Sequence, residues 1–230
     1  TNMTNLLTYQ VHENVAVVTI DSPPVNALGI DVRQSIVEGF KRASADVNVQ
    51  AIVLACDGRT FFAGADIREF GSKPKSPILP EVIAFIESSP KLTIAALHGT
   101  PLGGGLETAL ACHYRIALAG TRMGLPEVNL GLLPGAGGTQ KLPRLVGIPA
   151  ALEIITSGRQ IKADEALKLG IIDRVCESDN IVASAISYAK ELVDQNATRT
   201  LVLDRNEKTA EHRGKSEVYD AFRAKNARRF

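Results

Sequence analysis

The feature that most constrains the fold is an apolar segment that leads into three consecutive glycines. Residues 92–97 read LTIAAL, residues 103–105 are all glycine, and a helical pattern follows at once. A short apolar run bounded by turn residues is typical of a buried strand. Glycine permits close approaches and backbone angles that other residues avoid. We therefore predict a strand, a tight turn and a helix whose first N–H groups point outward without partners.

Strand and helix patterns alternate along the whole chain. Continuous or β-branched apolar runs predict strands at 7–10, 15–20, 51–56, 92–97, 114–119 and 171–176, the first two forming a hairpin. Helical spacing of apolar residues predicts helices at 30–45, 80–88, 104–111, 139–146, 149–157, 162–169, 181–195 and 216–229. This alternation places the chain in the α/β class.

Composition limits the classes of partner. The 230 residues are 45% hydrophobic and 22% charged, with a net charge of +1, which is ordinary for a soluble globular protein. We expect neither nucleic acid nor a membrane as partner, although residues 199–230 carry nine Lys or Arg against five Asp or Glu. No apolar run approaches the ~18 residues of a membrane span, and no signal-peptide pattern opens the chain.

Three scattered cysteines, Cys56, Cys112 and Cys176, show no CxxC spacing. They predict buried thiols rather than a disulfide framework or a metal site. A reducing, cytoplasmic compartment fits this pattern, with a peroxisomal origin as the alternative.

Two carboxylates stand near the glycine turn. Glu107 lies inside the predicted glycine helix, and Glu127 follows twenty positions later in a Pro-Glu pair. A functional role competes here with a salt bridge from Glu107 to Arg115 or Arg122, and spacing alone leaves both open. The histidines His98 and His113 are expected to be hydrogen-bonded structural residues. Neither a GxGxxG fingerprint nor a G-x-S-x-G nucleophile turn is present in this region.

Three segments, FFAGADIREF, HGTPLGGGLETAL and GLPEVNLGLLPGAGGTQKLPRLVG, resemble the enoyl-CoA hydratase/isomerase family in order and spacing. PPVNALG and TSGRQIKADEALKLGIIDRV extend the resemblance over residues 7–196. It implies the crotonase fold, a spiral of repeated ββα units, here with a C-terminal helical segment. It also implies an acyl-CoA thioester substrate, with coenzyme A carried by the substrate and neither a metal nor a separate cofactor.

The resemblance carries over residue by residue. It implies that the N–H groups of Ala65 and Gly104 form an oxyanion hole for the thioester oxygen. Glu107 would activate the water that adds at C3, and Glu127 would deliver a proton to C2. The residues implied to line the coenzyme A and acyl portions are Val25, Ala27, Ala63, Asp66, Ile67, Pro126 and Gly135.

Because both acids are kept, the resemblance favours a hydratase of fatty-acid β-oxidation. The alternatives are an isomerase that converts 3-enoyl-CoA to 2-enoyl-CoA, alone or alongside hydration, and a non-catalytic crotonase-like binding protein. One departure from many relatives is Thr100-Pro101 beside the glycines, which could alter the acyl pocket.

The end of the chain departs from stand-alone hydratases of the family. Residues 198–230 resemble the segment that leaves the hydratase/isomerase part of a multifunctional fatty-acid oxidation protein. We therefore predict a core at 1–197 and a basic helical segment at 198–230, a truncated link to a missing 3-hydroxyacyl-CoA dehydrogenase part. A solvated terminal helix is the alternative for this segment, and a homo-oligomer is the alternative partner.

Overall fold

A computed structural model describes residues 6–228. The strands are β1 (Leu7–His12), β2 (Val15–Ile20), β3 (Ala51–Cys56), β4 (Leu92–Leu97), β5 (Tyr114–Leu118), β6 (Arg122–Met123), β7 (Ile161–Lys162) and β8 (Arg174–Cys176). The α-helices are α1 (Ile30–Ala45), α2 (Leu79–Glu87), α3 (Gly104–Ala111), α4 (Gly138–Val146), α5 (Ile148–Ser157), α6 (Ala163–Leu169), α7 (Ile181–Asp194), α8 (Glu207–Ala210) and α9 (Glu217–Lys225). Short 3₁₀ helices span Ile67–Glu69, Pro126–Leu130 and Val202–Asp204.

The main sheet has the strand order β1-β2-β3-β4-β5-β8. The predicted hairpin is confirmed, since β1 and β2 pair antiparallel, whereas β2, β3, β4, β5 and β8 pair in parallel. A separate antiparallel pair joins β6 to β7. Because parallel strands are connected by helices that cover the sheet faces, this topology explains why β3 and β4 are buried throughout.

Helices cover both faces of the sheet. On one face α7 packs against the alternating residues Val15 and Val17 of β2. On the other face Ala16, Val18 and Ile20 belong to a core that also contains side chains of α1, α2 and α3. Side chains alternate between the faces of a strand, so β2, β3, β4 and β5 contribute to both cores. Burial of each Val, Ile or Phe side chain contributes roughly 1.5–3 kcal/mol, which makes these layers the main source of stability.

Some predicted elements differ from the structure. The strand expected at 171–176 begins only at Arg174, because the N–H of Ile171 instead donates to the carbonyl of Ala166 at the end of α6. The last helix ends at Lys225 rather than at 229. The N–H of Asn226 closes it by donating to the carbonyl of Phe222. Residues 229–230, part of that prediction, lie outside the described residues. The short pair β6–β7 was not predicted.

The C-terminal segment packs against the core helices α4 and α5. Val202 is buried, and Lys208 donates from Nζ to the carbonyl of Leu145 at 2.5 Å and to that of Leu169 at 3.2 Å. A lysine at these positions binds the unpaired carbonyls at the ends of α4 and α6. The division at residue 197 stays a prediction.

Two further findings bear on the sequence predictions. Cys56 and Cys112 are buried as expected, whereas Cys176 is only half-buried and contacts the Ser184 hydroxyl oxygen at 2.8 Å. Among residues 6–228, no helix combines the length and apolar character that a membrane span requires.

Candidate active site

The glycine run lets α3 begin in direct contact with the segment 61–65. A Cβ on Gly105 would lie 1.7 Å from the carbonyl oxygen of Phe62, closer than any side chain can be accommodated. Gly103 adopts φ 53°, ψ −124°, a conformation that favours glycine. The glycine run therefore provides both the tight packing of α3 on this segment and the exposed amides at its start.

The backbones of Gly104 and Ala65 meet at this point. A Cβ on Gly104 would lie 3.8 Å from the amide nitrogen of Ala65. Within the described part of the chain, neither amide donates a hydrogen bond to another group of the protein. The N-terminus of an α-helix also carries roughly half a positive charge. Two free N–H groups at a positive helix end can bind an anionic oxygen.

Glu107 is buried one turn into α3, only 2% exposed. Its Oε1 atom accepts hydrogen bonds from the backbone N–H of Ala136 at 2.9 Å and of Gly138 at 2.8 Å. Burial raises the pKa of this carboxyl, while the two N–H groups and the charge of Lys141 oppose that rise. The backbone at the start of α4 thus holds the side chain in one orientation.

The salt bridge considered for Glu107 does not form among residues 6–228. Arg115 is fully buried, lies 3.7 Å from the Asp173 carboxylate and donates to the carbonyls of Ile171 and Cys112. Arg122 is exposed on β6. In the described part of the chain, the hydrogen bonds that hold the Glu107 side chain come from backbone groups.

Glu127 approaches the same helix end from the other side. It is half-buried in the 3₁₀ helix Pro126–Leu130, and its Oε1 lies 3.0 Å from where a Cβ would stand on Gly103. Its Oε2 atom is buried with no hydrogen-bond partner in the described structure. Burial, followed by the charge of Glu107, raises the pKa of Glu127 to about 7. The two carboxyls consequently flank the start of α3 with different proton affinities.

The loops predicted to line the coenzyme A portion are joined by their backbones. The N–H of Ala63 donates to the carbonyl of Val25 at 3.2 Å, and the half-buried Ala27 is followed by Leu28, whose N–H donates to Gly64 at 2.9 Å. These bonds place the two predicted loops side by side.

The residues that follow these loops differ in exposure. Ile67 is 70% exposed. The buried Asp66 carboxylate instead forms an ion pair with Arg68 at 2.7 Å. Asp66 therefore already has a partner within the chain.

The predicted acyl-side residues lie around the two carboxyls. Pro126 begins the 3₁₀ helix that carries Glu127. Gly135 is exposed and immediately precedes Ala136, which donates to Glu107.

Both histidines are hydrogen-bonded as expected, His113 to Thr93 at 2.8 Å and His98 to the Gly58 carbonyl at 3.0 Å.

One residue near the site was missed by sequence reasoning. Arg33 of α1 is buried, donates to the carbonyls of Leu28 and Pro77 at 2.6 Å and pairs with Glu69 at 2.8 Å. It joins the loop before α1 to residues 69–77, beside a cavity of about 390 Å³ that Ala65 also lines. Its place in an amphipathic helix gave no signal of this role.

Comparison with known proteins decides the family. A model described as enoyl-CoA hydratase/isomerase matches residues 10–226. The chain belongs to the enoyl-CoA hydratase/isomerase family. The resemblance stated from the sequence motifs is thereby confirmed.

Members of this family are similar to the chain in sequence and in structure. The human protein named peroxisomal bifunctional enzyme is 50% identical over 188 residues, covering 81% of this chain and 26% of that protein. A probable enoyl-CoA hydratase of Bacillus subtilis is 43% identical over 203 residues, covering 85% of this chain and 78% of that protein. The crystal structure of an enoyl-CoA hydratase from Bacillus anthracis superposes with a TM-score of 0.76 at 25% identity, covering 97% of each chain.

Two consequences follow for the predictions. The crotonase fold is confirmed by the structural match. The chain spans about a quarter of the length of the peroxisomal bifunctional enzymes that it matches.

Proposed function

We propose that this chain catalyses the addition of water across the 2,3 double bond of a 2-enoyl-CoA in fatty-acid β-oxidation. The observation that supports this most is the placement of two carboxyls, Glu107 and Glu127, around the start of α3. Within the described residues, the amide of Gly104 there and that of Ala65 beside it donate no hydrogen bond. A reaction that builds negative charge on a thioester oxygen while a proton and a hydroxyl are added needs these groups together.

The proposed oxyanion hole consists of the N–H groups of Ala65 and Gly104. As water attacks C3, electron density moves through the conjugated system onto the thioester oxygen. Fixed donors stabilise this enolate-like state without reorganising, and loss of one such donor typically costs about 3 kcal/mol. Both donors belong to the backbone, so their positions depend on the contact between α3 and the segment 61–65.

The two carboxyls divide the proton transfers. Glu107 has its Oε1 held by two N–H groups, which leaves Oε2 to accept a proton from the attacking water. Glu127 has a pKa of about 7 and is therefore about half protonated at neutral pH, so that it can supply the proton to C2. Environments that give two carboxyls different pKa values are a general means of separating acid from base.

The coenzyme A portion would follow the paired loops that contain Val25 and Ala63 and the exposed side of Ile67. The reaction would need neither a metal nor a cofactor beyond the coenzyme A of the substrate. Because several relatives are named bifunctional or multifunctional enzymes, fusion to a 3-hydroxyacyl-CoA dehydrogenase part is the partner arrangement we propose, with a homo-oligomer as the alternative. Names of relatives as peroxisomal or glyoxysomal favour a peroxisomal over a cytoplasmic location.

Crotonyl-CoA tests this proposal. Hydration removes the conjugated thioester absorbance and yields 3-hydroxybutyryl-CoA, which mass spectrometry identifies. Turnover supports the hydratase. Binding of crotonyl-CoA without turnover would favour the non-catalytic alternative, and absence of binding would contradict the acyl-CoA assignment.

A second candidate activity is the shift of a 3-enoyl-CoA to the 2-enoyl isomer. The Oε2 atom of Glu127, buried and without a hydrogen-bond partner among residues 6–228, supports it, since one carboxylate beside an oxyanion hole could take a proton from C2 and return it to C4. Incubation with a 3-enoyl-CoA should then increase the conjugated absorbance in the Glu107→Gln variant, where subsequent hydration is blocked. No increase in that variant would contradict the isomerase activity.

A further inference from the structure

A buried ion pair lies next to residues 136–138, the turn whose N–H groups bind Glu107. Lys141 of α4 is 2% exposed, and its Nζ lies 2.7 Å from Oε1 of Glu87 at the end of α2. The Glu87 side chain is 14% exposed. Removal of two charges from water costs several kcal/mol per ion, and well-packed apolar side chains often serve stability equally well. Stability alone therefore does not explain a pair at this depth, which points to a role beyond packing.

The geometry links Lys141 to Glu107 through two glycines. The Lys141 N–H donates to the Gly137 carbonyl at 2.8 Å, and its Nζ lies 3.2 Å from where a Cβ would stand on Gly137. A Cβ on the next residue, Gly138, would lie 3.0 Å from Oε1 of Glu107. The ammonium and the carboxylate thus lie against neighbouring residues of one turn.

We propose that Lys141 is a positioning residue for the reaction. It is a buried cation that keeps Glu107 ionised, and the negative charge of Glu87 weakens its effect on Glu107. This inference rests on the proposed function, in which Glu107 must be a carboxylate to accept a proton from water. Burial works against that charge, and the N–H groups of Gly138 and Ala136, followed by the ammonium, oppose the effect of burial. An opposite charge close to a buried carboxyl favours its ionised form.

The other charged and titratable groups around this pair are few in the described residues. Glu107 is coupled to Lys141 and to Glu127 of the 3₁₀ helix. Cys112, at the end of α3, faces both Lys141 and Glu87, and burial raises its pKa to about 12, so it stays neutral.

Arg115 also faces Cys112, but its guanidinium pairs with Asp173 on the far side. Lys141 is therefore the cation whose field acts on Glu107 within residues 6–228.

Two single substitutions should act in opposite directions. Lys141→Met removes the cation and should raise the pH at which Glu107 titrates by about 1 unit, the lower end of what a nearby opposite charge produces. Glu87→Gln leaves the cation without its partner and should lower that pH. Lys141→Arg keeps the charge and should titrate close to the parent chain. General loosening of the structure would not shift the two single variants in opposite directions.

The titration is measured without substrate. Protein labelled with ¹³C at the glutamate carboxyls gives an NMR signal for Glu107, assigned by its loss in Glu107→Gln. The acidic limb of the kcat/KM profile with crotonyl-CoA should move with the NMR value in each variant. If the parent chain does not hydrate crotonyl-CoA, the proposed function fails, while the NMR titration still decides the role of Lys141.

The outcomes separate cleanly. Opposite shifts in the Lys141→Met and Glu87→Gln variants support the proposal, whereas shifts in the same direction, or none, would overturn it. If Lys141→Met does not fold, as judged by circular dichroism, Glu87→Gln alone decides. A lower titration pH in that variant supports the proposal, and an unchanged or higher one overturns it.

Discussion

Glu107 Oε1 accepts a hydrogen bond of 2.8 Å from the backbone N–H of Gly138. This bond ties the side chain on α3 to the first residue of α4. A Cβ on Gly138 would lie 2.9 Å from Cβ of Pro134 as well as 3.0 Å from that carboxylate oxygen, so the contact depends on glycine. Backbone N–H groups thereby set the orientation of Glu107, the proposed base. Because these groups belong to the backbone, a side-chain change at Glu107 does not move them.

The pH dependence of hydration should follow Glu127 on its alkaline side. The proposed acid must be protonated, and its pKa is about 7, so kcat/KM for crotonyl-CoA should fall as pH rises above that value. On the acidic side, activity should fall as Glu107 takes up a proton. A kcat/KM profile that stays flat to pH 9 would contradict the role of Glu127 as acid.

The stability of the fold should increase when the Glu127 charge is removed at alkaline pH. A carboxyl whose pKa is raised in the folded state stabilises the fold below its unfolded pKa, and this contribution is lost as pH rises through about 7. Glu127→Gln should therefore raise Tm relative to the parent at pH 8 and leave it nearly unchanged at pH 4. Glu38→Gln, at an exposed position of α1, is the control and should change Tm little at either pH. A lower Tm for Glu127→Gln at pH 8 would contradict the account.

Gly105→Ala tests the contact between α3 and the segment 61–65. The new Cβ would collide with the Phe62 carbonyl at 1.7 Å, so we expect a loss of about 3 kcal/mol in the free energy of unfolding and a loss of activity. Gly120→Ala is the control, because nothing lies within 4 Å of a Cβ there, and a change within about 0.5 kcal/mol is expected. Urea titration measures both. Equal effects of the two substitutions would contradict the packing argument.

Arg33→Met should loosen residues 69–77 while leaving α1 in place. Loss of the bonds to Glu69 and Pro77 should increase trypsin cleavage after Lys75, which precedes Ser76, and raise KM for crotonyl-CoA more than it lowers kcat. Arg42→Met is a control on the same helix, since Arg42 stacks on Tyr9 at 4.0 Å and does not hold this loop. Cleavage at the parent rate in Arg33→Met would show that Arg33 does not hold the loop.

Local patterns were sufficient where one periodicity ran through a whole element. Helix α1, strands β3 and β4 and helix α3 were predicted with their observed bounds, because apolar spacing and glycine signals are encoded in neighbouring residues. The two-residue strands β6 and β7 have too few residues for a period and were missed. Strand β8 is shorter than predicted because the residues predicted as its start instead donate hydrogen bonds to a carbonyl of α6.

The contacts of the site could not be read from local sequence. The donors to Glu107 lie 29 and 31 residues away, and Arg33 meets Glu69 over 36 residues. Such pairs follow from the way helices and loops pack, for which spacing along the chain gives no signal. The roles of Ala65 and Gly104 came from the family resemblance, and within residues 6–228 the amide of neither residue donates a hydrogen bond.

The most direct test of the account is the initial rate of crotonyl-CoA hydration by the parent chain, Glu107→Gln, Glu127→Gln and the double variant. The parent should turn over, and each single variant should lose activity by about 10²–10⁴-fold, the usual contribution of a general acid or base. The double variant should lose much less than the product of the two single losses, because the carboxyls act in one step. Parent-like turnover in either single variant would contradict the account.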